Sequence, residues 1–97
     1  MRPATGRPHT TRGRRVDTNH AAIVRTLRSC GATVLSLAPL GGAAPDLLVR
    51  ARGRLHLLEV KRPGAGLTEA QHDFGATWGV AVVHDAREAL HAVGLLV

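Results

Sequence analysis

Apolar positions recur with two different periods along this chain, and the places where the period switches mark its elements. Between Val16 and Gly31, Ile23, Leu27 and Cys30 fall at i, i+4 and i+7 with Val24 beside them, the stripe of an amphipathic helix. Asp17 or Thr18 can cap its start and Gly31 can end it. Ala32–Leu37 reads as a short strand. Ala38–Pro45 reads as a loop, because two prolines and the Gly41-Gly42 pair interrupt any regular run. Two apolar segments follow, "DLLVRA" and "RLHLLEVK", separated by Arg52-Gly53. A two-residue connection ending in glycine predicts a hairpin, although Arg-Gly is a weaker turn signal than Asn-Gly.

After the breaker "RPGAG", the period returns to that of a helix in "LTEAQHDFGATWG", where Thr68 and Gln71 have capping-box spacing. Phe74 and Trp78 form its apolar face and are expected in the core. "VAVVH" is expected to be a fully buried strand. "DAREALHAVG" predicts a last helix, with Asp85 and Glu88 again at capping-box spacing and Ala86, Leu90 and Val93 on one side. "LLV" closes the sequence as a strand or an ordered tail. The predicted order is α-β-β-β-α-β-α, an α/β fold.

The hairpin fixes a register. With Arg52-Gly53 as the turn, Leu48 faces Leu57, Arg50 faces Leu55, and Asp46 faces Glu59. Side chains alternate along a strand, so Asp46, Leu48 and Arg50 share a face with Leu55, Leu57, Glu59 and Lys61. His56 points to the other face. Asp46 and Glu59 would then lie opposite one another, with Cβ atoms roughly 4.5–5.5 Å apart. Like charges so placed destabilise a sheet. A divalent cation between the carboxylates would offset that cost, since hard cations take oxygen ligands, and the Val60 carbonyl could add a third oxygen.

Charge sharpens this picture. Of 97 residues, thirteen are Lys or Arg and seven Asp or Glu, a net charge of +6. Five of the bases (Arg2, Arg7, Arg12, Arg14 and Arg15) and none of the acids lie in residues 1–15. Residues 1–15 are therefore expected to be a flexible basic arm and residues 16–97 a single, nearly neutral domain. An arm of this kind suits phosphate contact through Arg12, Arg14 and Arg15. Lys61 is the only lysine. Arginine does not give up its proton in a protein, whereas lysine is a compact point charge whose pKa moves readily. A lysine beside two carboxylates can orient a water or neutralise a developing phosphorane charge where arginine would fit poorly.

The remaining composition narrows the classes. The 44% apolar content suits a globular chain. No apolar run approaches the ~18 residues of a membrane span, and the first residues lack the apolar segment of a secretory signal. Cys30 is the only cysteine, which rules out an intrachain disulfide and a cysteine zinc site. A reducing cytoplasm is the expected compartment. The six histidines show no ligand-like i, i+4 pairing on one helix, so no histidine zinc site is expected.

At Pro45-Asp46 and Glu59-Val60-Lys61 the chain resembles the PD-(D/E)XK nuclease superfamily. It is most similar to small phage-type nucleases of the VRR-NUC and Holliday-junction-resolvase-like kind. The likeness rests on "DTNHAAIVRTLRSCGATV", "GGAAPDLLV", "LLEVK" and "LTEAQHDF…W", and covers roughly Asp17 to Val93. It implies an α-β-β-β-α-β restriction-endonuclease-like core, a mixed sheet flanked by helices, with the acids on the hairpin of the second and third strands. It implies further that Asp46, Glu59 and the Val60 carbonyl hold Mg2+, for which Mn2+ substitutes, and that Lys61 serves the attacking water or the transition state. The family often adds a polar or acidic ligand from the first helix. The candidates here are Asp17, Asn19 and His20, and there is no glutamate in that helix. Gln71 matches a glutamine of relatives, and its other reading is the capping box with Thr68.

Two functions from different classes follow. One is a metal-dependent DNA endonuclease acting on branched or otherwise structured DNA, with Gly41, Gly42 and Arg62 as further substrate contacts. The other is a non-catalytic nucleic-acid-binding module on a degenerate nuclease fold. A core this small also favours a two-fold homodimer.

Overall fold

The computed structural model describes residues 19–97. The basic arm, the caps expected at Asp17 or Thr18, and the site candidates Arg12, Arg14, Arg15 and Asp17 lie outside the described residues. Helix α1 (19–29) is followed by β1 (Thr33–Ser36), a single 3-10 turn (Ala38–Leu40), β2 (Leu47–Ala51), β3 (Arg54–Val60), α2 (Glu69–Trp78), β4 (Val80–Val83) and α3 (Ala86–Ala92). The order is the one the periodicities predict, with the 3-10 turn inside the expected loop. No strand forms at the C-terminal "LLV"; there Leu95 packs against the core.

The four strands form one mixed sheet in the order β1-β2-β3-β4. β1, β2 and β3 are antiparallel neighbours, while β4 runs parallel to β3. Parallel neighbours need a crossover, and α2 supplies it. The hairpin register pairs Leu47 with Leu58, Leu48 with Leu57 and Ala51 with Arg54, as the two-residue turn requires. Arg52 and Gly53 have φ of 53° and 77°, the two positive values of a type I′ turn.

The two faces of the sheet are covered unequally. Val34, Leu47, Val49, Leu58 and Val83 point to one face and are buried with Ile23 and Leu27 of α1 and with Ala89 and Val93 near α3. Each fully buried aliphatic side chain contributes about 1.5–3 kcal/mol, so this layer is the main source of stability. The other face carries Leu35, Leu48, Leu55, Leu57, Glu59, Val80 and Val82. Among the described residues only α2 covers it, near Glu59 and β4, where a Cβ on Gly75 would lie 3.7 Å from that of Val80. Leu35 and Leu55 stay 58% and 68% exposed.

This inequality corrects several expectations. Trp78 is 65% exposed because it ends α2, and it stacks on half-buried Phe74 at 5.6 Å instead of entering the core. β4 is not fully buried: Val83 faces the covered layer, whereas Val82 is exposed on the opposite face. In α3 the buried residue is Ala89, with Leu90 half-buried. Cys30 is exposed because α1 ends one residue earlier. Its amide closes the helix on the Thr26 and Leu27 carbonyls, and Gly31 turns the chain away at φ 97°.

Candidate functional site

The acidic end of the hairpin is built by its backbone. Continuing the register beyond Leu47 and Leu58 puts Asp46 opposite Glu59 and Pro45 opposite Val60. Pro45 has no N–H to give, so the β2–β3 ladder must end there. The Val60 amide is taken by the Asp46 side chain instead, donating to Oδ2 at 2.7 Å. The N–H and C=O of one strand residue point to the same side. The Val60 carbonyl therefore projects toward β2 as well, where proline offers no donor. Asp46 Oδ1 and the Val60 carbonyl are left as oxygen donors on one side of Glu59. The Asp46 backbone carbonyl accepts from the Leu37 amide at 2.8 Å, which ties the site to the end of β1.

Glu59 is the only buried charged residue among the described residues, 6% exposed. Its Oε2 accepts from Gln71 Nε2 at 3.3 Å and lies 3.9 Å from Lys61 Nζ. Burial, then the Asp46 charge, then hydrogen bonding to Asp46 push its pKa up from 4.5 to about 7, against the lowering effect of Lys61. The expected conflict between opposed carboxylates is therefore present in the structure. The cavity beside Glu59 is bounded by Pro45, Leu67, Phe74 and Val82 and offers about 20 Å³, room for about one water.

Gln71 completes the capping box and also reaches Glu59. Its amide N–H donates to Thr68 Oγ1 and its Oε1 accepts from the Thr68 amide, completing the capping box of α2. The other end of the same carboxamide holds Glu59. α2 is thus anchored to the site by its first turn. At α3 the second expected box is altered: Asp85 Oδ1 accepts from the Glu88 amide, but Glu88 reaches back to His84.

Lys61 is held by its amide on the Val83 carbonyl, 3.0 Å away. With Asn19, Val60, Arg62 and Ala65 it lines a recess of about 230 Å³. Asn19 is thereby placed beside Lys61. Gly41 and Gly42 adopt φ of 65° and 61° on an exposed loop. That loop lines the small cavity beside Glu59 through Ala43 and Pro45, and the two glycines lie outside that cavity.

Among the described residues no group of three His, Cys, Asp or Glu side chains could hold a metal. A magnesium ion needs less: one or two carboxylates suffice, because it retains waters and takes substrate phosphate oxygens. Asp46 Oδ1, Glu59 and the Val60 carbonyl are a hard-oxygen set of that size, and the raised Glu59 pKa marks a place where positive charge would be stabilising. The residues fit the ion. The sequence did not disclose the part played by Pro45, which sets the ladder's end and so frees the Val60 backbone. The chain matches no family model, no curated protein and no solved structure, so the reading of this site rests on its geometry.

Proposed function

We propose that the chain is a metal-dependent DNA endonuclease with a restriction-endonuclease-like fold of the PD-(D/E)XK type, hydrolysing phosphodiester bonds in branched or junction DNA. One observation carries this reading: Asp46 and Glu59 meet at the end of a hairpin whose ladder stops at Pro45, with the only lysine on Glu59. Mg2+, or Mn2+ in its place, would polarise the scissile phosphate and acidify a bound water. The chain's own groups supply the rest. Asp46 is oriented by the Val60 amide and Glu59 by Gln71, so both carboxylates are held before substrate arrives. Lys61 keeps an ammonium near Glu59, from which it can donate to the attacking water or to charge developing on the phosphate. Asn19 and Arg62 border the adjoining recess, where a substrate phosphate would lie. Asp17, Gly41, Gly42 and the arginines Arg12, Arg14 and Arg15 belong to the proposal as further ligand and phosphate contacts.

A two-fold homodimer is part of the same reading. The core is small, and Leu35, Leu55 and Trp78 stand exposed on the side of the sheet that carries Glu59. Light scattering tests this, and a fully active monomer would remove it. The deciding assay is cleavage of plasmid and four-way-junction DNA with Mg2+ or Mn2+. Activity lost in EDTA and in Glu59→Gln supports the enzyme. Tight DNA binding with no cleavage under any metal supports the second reading, a non-catalytic DNA-binding module, which the near-complete burial of Glu59 favours.

A further inference from the structure

The opposite end of the same hairpin carries the opposite charge. Arg52, Arg54 and His56 of the hairpin and His91 of α3 line one open recess of about 490 Å³ between the turn and the C-terminal end of α3. Among the described residues no carboxylate lines it. The described ion pairs join Lys61 to Glu59 and His84 to Glu88, so among the described residues neither arginine is neutralised. By strand alternation His56 and Arg54 point to the helix-covered face, away from Glu59, and this recess is separate from the acidic site.

Two details set it apart from a solvated basic surface. Arg52 is the only described non-glycine residue with positive φ, 53°, at a turn position where asparagine or glycine is favoured. Residues held in that region cost of order 1–3 kcal/mol and cluster at functional positions. The turn directs the Arg52 stem over the end of α3, where its Cδ lies 3.7 Å from the place a Gly94 Cβ would occupy. Moreover, His56 Nε2 is sealed from solvent and has no hydrogen-bond partner, whereas buried polar atoms are nearly always paired.

We infer that Arg52, Arg54, His56 and His91 form an oxyanion site that takes a phosphate group. Guanidinium groups match the planar pairs of oxygens that phosphate presents, and the His56 and His91 rings line the same recess beside them. The phosphate is either a DNA phosphodiester passing the hairpin tip or a free phosphate. The inference does not depend on the nuclease reading, since none of its residues belongs to the acidic site.

The test is an NMR titration of the full chain with inorganic phosphate at constant ionic strength, reading the ring signals of all histidines. Saturable shifts at His56 and His91, with none at His72 on the far side of the sheet, are expected. Arg52→Asn, which suits the turn, and separately Arg54→Gln should each weaken the phosphate affinity about tenfold or more, the loss of one charge-assisted hydrogen bond. A DNA duplex that shifts the same two histidines and is displaced by phosphate identifies the backbone as the source. Shifts with phosphate alone identify a free-phosphate site. Uniform shifts at every histidine, or shifts unchanged in both arginine variants, would overturn the site. So would a lower Tm in Arg52→Asn with phosphate binding intact, since Arg52 would then serve only the carbonyls ending α3.

Discussion

The two ends of the β2–β3 hairpin are built from one register and differ in almost every electrostatic respect. At the open end, two carboxylates share a face, one is buried, and its pKa rises to about 7. At the turn, two arginines and two histidines share a recess without an acid. Both ends depart from what stability alone would select. Opposed like charges cost energy in a sheet, and so does an arginine at positive φ. The comparison teaches that cost here is paired with placement: each costly residue sits where binding a ligand of the opposite charge would offset it.

The sharpest way to break the comparison is to remove the acid from the open end. Glu59→Gln should abolish metal-dependent cleavage, while Lys61→Arg should reduce it by about 10²-fold or more, because the guanidinium is larger, planar and cannot share its proton. A purely structural ion pair would instead make Lys61→Arg nearly silent. Single-turnover cleavage of junction DNA, beside a binding assay, separates the two outcomes.

The second test is stability against pH without metal. The folded state holds a proton on Glu59 up to about pH 7, whereas the ordinary value is 4.5. Between those values the folded chain binds the proton that the unfolded chain releases, so stability falls as pH rises. The full effect approaches roughly 3 kcal/mol above pH 7. Denaturant unfolding at pH 5 and pH 8 should show this fall, Glu59→Gln should flatten it, and Mg2+ should reduce it by favouring the ionised form. An apo protein whose stability rises across that window would contradict the buried, opposed pair.

A smaller effect divides the two duties of Gln71. Thr68→Ala removes a cap and should cost about 1 kcal/mol. Gln71→Ala removes a cap partner and the Glu59 contact together. Similar stability losses with a cleavage defect only in Gln71→Ala would assign Gln71 to positioning Glu59. Equal cleavage in both variants would leave it a helix cap.

How much of this was legible in the sequence follows from which contacts are local. The hairpin register was, because a two-residue turn fixes every opposed pair from Ala51–Arg54 outward, and with it the meeting of Asp46 and Glu59. The capping box of α2 was legible for the same reason. Burial was not. Whether Trp78 enters the core depends on where α2 ends over the sheet, and the exposure of Val82 depends on how little of that face α2 covers. Gln71 presented two readings as alternatives; one end of its carboxamide completes the cap, and the other touches Glu59. The basic recess was out of reach entirely, since His91 joins Arg52 and Arg54 only when α3 docks on a hairpin nearly forty positions earlier. Its one sequence trace was the arginine standing in the turn where asparagine is favoured.

That arginine gives the last and smallest test. If Arg52 is retained for an anion and not for the turn, Arg52→Asn should raise stability in phosphate-free buffer. Asparagine tolerates the left-handed region at lower cost, and the gain should be on the order of 1 kcal/mol. Added phosphate should then narrow the gap, because the parent chain gains binding free energy that the variant lacks. Thermal melts of both chains with and without phosphate, at fixed ionic strength, give all four numbers. A variant more stable without phosphate, and progressively less so with it, would tie the strained turn to the ligand. Equal responses of the two chains would leave the turn a plain loop, and the hairpin would then have one functional end instead of two.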